Sequence, residues 1–336
     1  MTKKVNITTI WWGSGTFNVI YWLKKVFSRE ERNLATIIAM TDSWGTTGEI
    51  RDKYWVLPPG DIRRAICALA RDTGTVRKLF EYKFEDETWV IWGNKIGNIL
   101  LTALWEITWS FESGLDVACK MFDVEGKIIP VTLEDIHLWV KFEDGTELIG
   151  EKNIDVSDKN NFVRTHNIDQ NVSEAFLVGW EWKLNPRAYE AIMNSDYIIL
   201  GPWDFYTSIV PNLLSKWMKE ALSQTSAKII YVCNIMTKKW ETTTYELKDF
   251  IDNIEKYAWE VLDYVFVNNG NISEELVEKY KIEEGKKPVK LKDIREFNGK
   301  KYKIIERDFV NESDVVRHDP KKLAQTIKDL TTGWIK

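Results

Sequence analysis

Val5-Asn-Ile-Thr-Thr-Ile10 runs into Trp11-Trp12-Gly13-Ser14-Gly15-Thr16, and then into a stretch whose Val19, Ile20, Leu23 and Val26 recur at three-to-four spacing. A β-branched run, a glycine-bearing turn and a period near 3.6 predict a strand followed by a helix. Leu34 to Met40 (LATIIAM) predicts a second buried strand, closed by the polar segment TDSWGTTG at 41–48. Strand, helix, strand is a βαβ unit, which favours a parallel sheet with right-handed crossovers. The rhythm returns later in the chain. Helix Pro186 to Asn194, strand Tyr197 to Leu200, a helix from Tyr206, strand Lys228 to Cys233, helix Tyr245 to Tyr257 and strand Tyr264 to Val267 follow one another.

Between these halves, Leu57-Pro58-Pro59-Gly60-Asp61 predicts a turn and a helix capped by Asp61, with Ile62, Ile66 and Leu69 on one face. Gly97 to Ile107 and Phe111 to Phe122 read as further helices. Ile136 to Phe142, Glu143-Asp144-Gly145 and Thr146 to Ile149 form a hairpin pattern, and Ser157 to Asn167 a polar, irregular exit from it. The tail carries an expected strand at Tyr302 to Ile305 and a helix near Lys321 to Leu330. The fold class is α/β: a Rossmann-like, mostly parallel sheet with helices on both faces and a small antiparallel β insertion. The expected division is 1–123 for the first half, 124–170 for the hairpin insertion, 171–270 for the second half of the same sheet, and 271–336 for a charged extension.

The 336 residues hold 46 Lys+Arg and 51 Asp+Glu, a net charge of −5, which argues against a nucleic-acid protein bound through a basic surface. Hydrophobic residues at 44% and charged residues at 29% suit a globular protein. Cys67, Cys119 and Cys233 lie far apart and only three histidines occur, so a structural zinc site is not expected. Neither a signal peptide nor a membrane span is evident, and the chain reads as cytoplasmic.

Ligands of open α/β sheets bind beyond the carboxyl ends of the strands. Here those loops are 11–16, 41–48, 201–208, 234–245 and 268–271. Trp11, Trp12, Gly13, Ser14, Gly15 and Thr16 could present backbone N–H groups and a helix start to a phosphate, or be merely a tight turn. Asp42, Ser43, Gly45 and Thr46 offer a carboxylate and hydroxyls for a cation or a ribose, or a helix cap. Gly201, Pro202, Asp204, Tyr206, Thr207 and Ser208 form the fourth loop, whose hydroxyls suit a phosphate or sugar but are also common caps. Asn234, Met236, Thr237 and Glu241 border the next loop, and Asn268 and Asn269 contact a ligand or turn the chain. Asp61 and Arg63 position an anion or form a surface ion pair. Asn98 hydrogen-bonds a base or phosphate, or caps its helix. His137, His166 and His318 lie outside these segments and read as surface or structural residues, and Cys233 as a buried strand residue.

The segments TDSWGTTGEIRDKYWVLPPGDIRRAICAL, GNKIGNILLTAL, LGPWDFYTSIVPNLL and YVCNIMTKKWETTTYELKDFI resemble the CofD/YvcK-like family over roughly residues 4 to 270. That family comprises 2-phospho-L-lactate transferases and gluconeogenesis factors, and the 201–208 loop and YVCNIMT strand resemble the second branch more. The resemblance implies a strand-end cleft for a nucleotide or nucleotide sugar such as UDP-N-acetylglucosamine, with a role in cell-wall precursor supply and cell shape. Asp42 matches the family's loop aspartate and is the one catalytic or metal-ligating candidate, with Mg²⁺, should the protein be a transferase. Ser43 stands where a second aspartate is usual, and Asn94 where a histidine often precedes Gly97-Asn98, which leans toward binding. A dehydrogenase is disfavoured, for no clean GxGxxG or redox residue occurs. A nucleotide-type small molecule is the expected partner; a homo-oligomer and a regulatory protein partner both stay open.

The chain departs from the family in one systematic way. It holds 17 Trp and only 18 Gly. Tryptophan stands at family glycine positions 11, 12, 44, 55, 105, 109, 203 and 240, and the same is suspected at 22, 139, 180, 182, 217 and 259. Glycine in such loops reaches positive φ, where a bulky residue costs on the order of 1–3 kcal/mol. The expectation is therefore a UGA codon rendered as Trp that the source cell reads as Gly. Converting all would raise glycine from 18 to 35, although some, such as Trp89 and Trp334, are plausible tryptophans. The competing expectation is a Trp-rich paralogue with a filled cleft.

Overall fold

The structure is a computed structural model that describes residues 4–10, 14–43, 45–54, 56–83, 93–154, 169–179, 182–312 and 315–335. Trp11, Trp12, Gly13, Trp44, Trp55, His166 and the 157–167 exit lie outside the described residues. Strands β1 (Val5–Ile10), β2 (Arg32–Ile38), β3 (Lys127–Pro130), β4 (Ile136–Phe142), β5 (Glu147–Ile149), β6 (Val172–Gly179), β7 (Tyr197–Leu200), β8 (Lys228–Val232), β9 (Tyr264–Asn268), β10 (Lys303–Arg307), β11 (Val310–Glu312) and β12 (Val316–His318) fall into three sheets. Seven of them form a wholly parallel sheet in the order β10-β9-β8-β7-β1-β2-β3. β5-β4-β6 is a small antiparallel sheet containing the expected hairpin, and β11-β12 pair antiparallel.

Strands buried on both faces read as continuous apolar runs, and successive residues feed opposite cores. Ile198 and Leu200 enter one core while Ile199 enters the other, and Tyr231 and Val232 divide the same way. The first core packs the small sheet and helices Pro186–Met193, Met218–Gln224 and Leu247–Ala258 against the main sheet; the second packs helices Ser14–Val26, Pro59–Leu69 and Pro320–Thr331. β1, β4 and β7 fall where expected; most other boundaries move by one or two residues. No helix among the described residues is long and apolar enough to cross a membrane.

Several elements differ from the sequence reading. β3, β6, β11, β12 and the helix Gly45–Tyr54 were not anticipated. The short strands take their order from pairing: Ile129 lies opposite Ile37, and Val310 opposite His318. The helix expected from Tyr206 opens as a π-helical turn, Phe205–Ile209, before Val210–Leu213. Pro211, which has no N–H to donate, lies just beyond that turn. Asp61 does not cap its helix: the N-cap is Pro58, with no side-chain bond, and Asp61 lies buried in the first turn.

Candidate functional site

The strand order reverses between β1 and β7, because the chain winds from β1 toward β3 on one side and from β7 toward β10 on the other. At such a switch point the two following connections diverge and leave a crevice at the carboxyl rim. A cavity of about 150 Å³ opens there, lined by Asn18, Val19, Pro202, Trp203, Asp204, Asn234, Ile235, Met236, Val316, Arg317, His318 and Pro320. The segments after β1, β7 and β8 thus meet, the first of them through Asn18 and Val19 of the helix Ser14–Val26. The tail contributes as well.

Glu241, wholly buried, organises the β7 connection. It accepts from the Tyr206 N–H at 3.0 Å and the Thr207 hydroxyl at 3.2 Å, and pairs with Lys238 Nζ at 2.9 Å. Lys238 also reaches Asp204 Oδ2 at 2.7 Å. A buried carboxylate is held only when donors surround it, and these donors fix the turn from 204 to 208. Asn234 Nδ2 donates to the Trp203 carbonyl at 2.8 Å and ties β8 to the same turn. Gly201 has φ +78°, and a Cβ there would meet the Val232 carbonyl at 2.9 Å, so glycine is required on both counts.

The β2 connection forms a charged cluster. A Cβ on Gly60 would sit 2.9 Å from Asp42 Oδ2 and 2.7 Å from Thr47 Oγ1, so the Pro-Pro-Gly turn is closed over Asp42. Arg64 donates to Asp61 at 2.6 Å. Burial works against its charge, but Asp61 and then Asp42 raise its pKa overall. Arg63 is also buried, and burial lowers its pKa despite a 2.7 Å pair with Glu81. Ser43 Oγ accepts the Lys152 N–H at 3.1 Å. Asn98 lies in the first turn of Ile96–Thr108, behind the N-cap Lys95, and therefore does not cap.

Buried polar atoms in native proteins nearly always have partners. Thr41 Oγ1, Asn98 Oδ1, Ser208 Oγ, Asn212 Oδ1 and Asn234 Oδ1 have none among the described residues. Thr41 follows β2, Ser208 and Asn212 follow β7, and Asn234 follows β8. Other candidates are spent on structure. Tyr206 Oη pairs with Tyr245 at 2.6 Å inside the first core, where burial pushes its pKa up. Thr237 Oγ1 accepts the Lys287 N–H at 3.0 Å. Asn268 Oδ1 accepts from Gly270 and Phe309 and thereby turns the chain. Ser14, Gly15 and Thr16 begin a helix directly after the undescribed 11–13, and Gly45 and Thr46 begin another.

The sequence reading missed Arg317, Lys238 and Asn212, and placed His318 outside the site. His318 lines the cavity instead, and β12 puts it there. Its Nε2–H donates to the Cys233 carbonyl at 3.0 Å, and burial lowers its pKa to about 4, so the ring is neutral. No group of three or more potential metal ligands gathers among the described residues.

The fold therefore defines the class: a parallel α/β protein of Rossmann-like topology, with its switch point at the β1/β7 rim. The chain belongs to the CofD family, whose model, described as 2-phospho-L-lactate transferase CofD, matches residues 7–310. It is 35% identical over 328 residues to a Thermoanaerobacterium thermosulfurigenes relative, covering 96% of each chain. It is 30% identical over 332 residues to the gluconeogenesis factor of Bacillus subtilis, covering 98% of this chain and 99% of that one. A crystal structure of a UPF0052 family member from Bacillus halodurans superposes with TM-score 0.86 at 30% identity, over 97% of this chain and all of that one.

Proposed function

We propose that the carboxyl rim binds a nucleotide sugar of the UDP-N-acetylglucosamine type, and that the protein is a regulator linking carbon metabolism to cell-wall precursor supply and cell shape. The unpartnered buried atoms carry this reading. Asn234, which lines the cavity, keeps an Oδ1 unpartnered among the described residues; that oxygen is an acceptor, so its missing partner must be a donor. Phosphate oxygens at neutral pH only accept, whereas sugar hydroxyls and the uracil imide donate. A nucleotide sugar brings both kinds of group. Its diphosphate would find Arg317 and the helix start at Ser14, and its sugar and base the asparagines and hydroxyls. The names of the relatives support the regulatory role.

A second reading, a metal-dependent transferase of a phospho-lactyl or nucleotidyl group, draws on Asp42 and Asp61 acting on the same Arg64. With an arginine already neutralising them, these carboxylates would hold Mg²⁺ only together with ligand phosphates. Thermal unfolding with UDP-N-acetylglucosamine in EDTA separates the readings. The binder gains about 2.7 kcal/mol at a hundredfold excess over Kd without metal. A shift that requires Mg²⁺, together with product release, favours the transferase, and no shift in either condition defeats both.

A further inference from the structure

We infer that the polypeptide made in the source cell carries glycine at positions 109, 217, 240 and 259, the codon there being UGA read as Gly. Among the described residues, five non-glycine positions have left-handed φ: Trp109 at 54°, Asp123 at 47°, Trp217 at 73°, Trp240 at 65° and Trp259 at 66°. Only a few per cent of non-glycine residues adopt such φ, and those favour Asn, Asp and His; a bulky side chain there is an outlier. Four tryptophans out of five is therefore the opposite of what sterics select. Asp123 is the one ordinary case.

The positions are also the ones glycine occupies for structural reasons. Trp109 is the left-handed C-cap of Ile96–Thr108, and Trp259 closes Leu247–Ala258 with ψ −173°, a region that only glycine enters freely. Trp217 precedes Met218–Gln224 in the same left-handed geometry. Gly285, at φ 62°, ends Glu274–Glu284 in the way Trp109 ends its helix.

The packing offsets little of this strain: Lys216 over Trp217 and Lys219 over Trp259, each at 5.0 Å, and Lys238 over Trp240 at 5.6 Å are cation–π contacts worth about 0.5–1 kcal/mol at exposed sites, below the roughly 1–3 kcal/mol of each left-handed φ. Trp109, Trp217 and Trp259 are 91%, 46% and 44% exposed as residues. Trp240 Nε1 is buried and finds no partner among the described residues, although a buried indole N–H normally donates. The backbone of this chain is thus shaped for hydrogen, not indole, at all four places.

These four positions bear on the other suspect tryptophans only where UGA stands there too. With UGA at 203, the consequence would reach the cavity: glycine there would remove a side chain from its wall and leave the carbonyl that Asn234 holds.

Peptide mass spectrometry of the protein from its own cells, set beside the coding DNA, tests this. We expect UGA codons, and peptides lighter by the Trp–Gly mass difference at 109, 217, 240 and 259. Tryptophan in those peptides, or UGG codons, overturns the inference. As a second test, the chain as printed is compared in thermal unfolding with the quadruple variant Trp109→Gly, Trp217→Gly, Trp240→Gly, Trp259→Gly. The variant should melt higher by roughly 5 °C or more; an equal or lower midpoint contradicts the account.

Discussion

The two rims of the main sheet are built from the same strands and are finished in opposite ways. At the amino rim the starts of β1, β2 and β8 are clamped. Asp196 Oδ2 accepts the Asn6 N–H at 2.8 Å, Asn33 donates to Asn6 Oδ1 at 2.8 Å, Asp263 takes the Ile229 N–H at 3.0 Å, and Arg32 pairs with Glu125 at 2.9 Å. A hollow of about 540 Å³ lies there, larger than the one at the switch point, but its buried polar side chains have partners: Arg32 donates to the Phe27 carbonyl and to Glu125, and Ser195 to Thr8. At the carboxyl rim the hollow is smaller, and one residue of its lining, Asn234, keeps a buried oxygen unpartnered among the described residues. Size alone would choose the wrong rim. Unmet hydrogen-bonding capacity that faces a hollow, as at Asn234, points to a ligand more directly than volume does; the unpartnered hydroxyls of Tyr231 and Tyr302 sit in the first core and carry no such meaning.

The largest effect is expected from Glu241→Ala, which strips the Tyr206 N–H, Thr207 and Lys238 of their buried acceptor. Chemical denaturation should show a loss of about 3–5 kcal/mol, and UDP-sugar affinity should fall with it. A loss of stability without loss of affinity would separate this turn from the site.

Next comes pH. His318 has a folded pKa of about 4, below the unfolded value near 6.5. Between these values the unfolded chain binds the extra proton, so stability is complete above pH 6.5 and falls as pH drops toward 4. The loss should reach no more than about 3 kcal/mol. His318→Gln should flatten unfolding profiles over that window.

Asp196→Ala at the amino rim should cost about 1–2 kcal/mol and leave ligand affinity unchanged by calorimetry. A change in affinity would show that the rims are coupled. The smallest stability effect belongs to Ser208→Ala, within about 0.5 kcal/mol, since that hydroxyl makes no internal bond. Its effect on UDP-sugar affinity should nonetheless be about tenfold. Unchanged affinity would mean that the orphaned hydroxyl does not face the ligand.

Much of this was legible in the sequence because it is local. VNITTI, the apolar stretch after it and the Glu143-Asp144-Gly145 turn specify a strand, a helix and a hairpin through their own periodicity. Strands of three or four residues carry too little pattern to be read. β3 and β12 exist because β2 and β11 pair with them. The loops of the site were legible as strand ends, but their internal wiring was not. Asn98 and Ser208 were named as cap alternatives, yet neither caps a helix. Asn268 spends its side chain on a turn with Phe309, forty-one residues away. Arg317 and His318 reach the rim only through tertiary pairing, which no spacing near residue 200 reveals.

The most direct test is a crystal structure of the protein grown with UDP-N-acetylglucosamine. The account predicts density for the uridine diphosphate between the Pro202–Ser208 turn and the start of Ser14–Val26, with sugar or base atoms within hydrogen-bond distance of Ser208 or Asn212. A vacant carboxyl rim, with the nucleotide seated instead in the larger hollow beside Arg32 and Asn33, would contradict it.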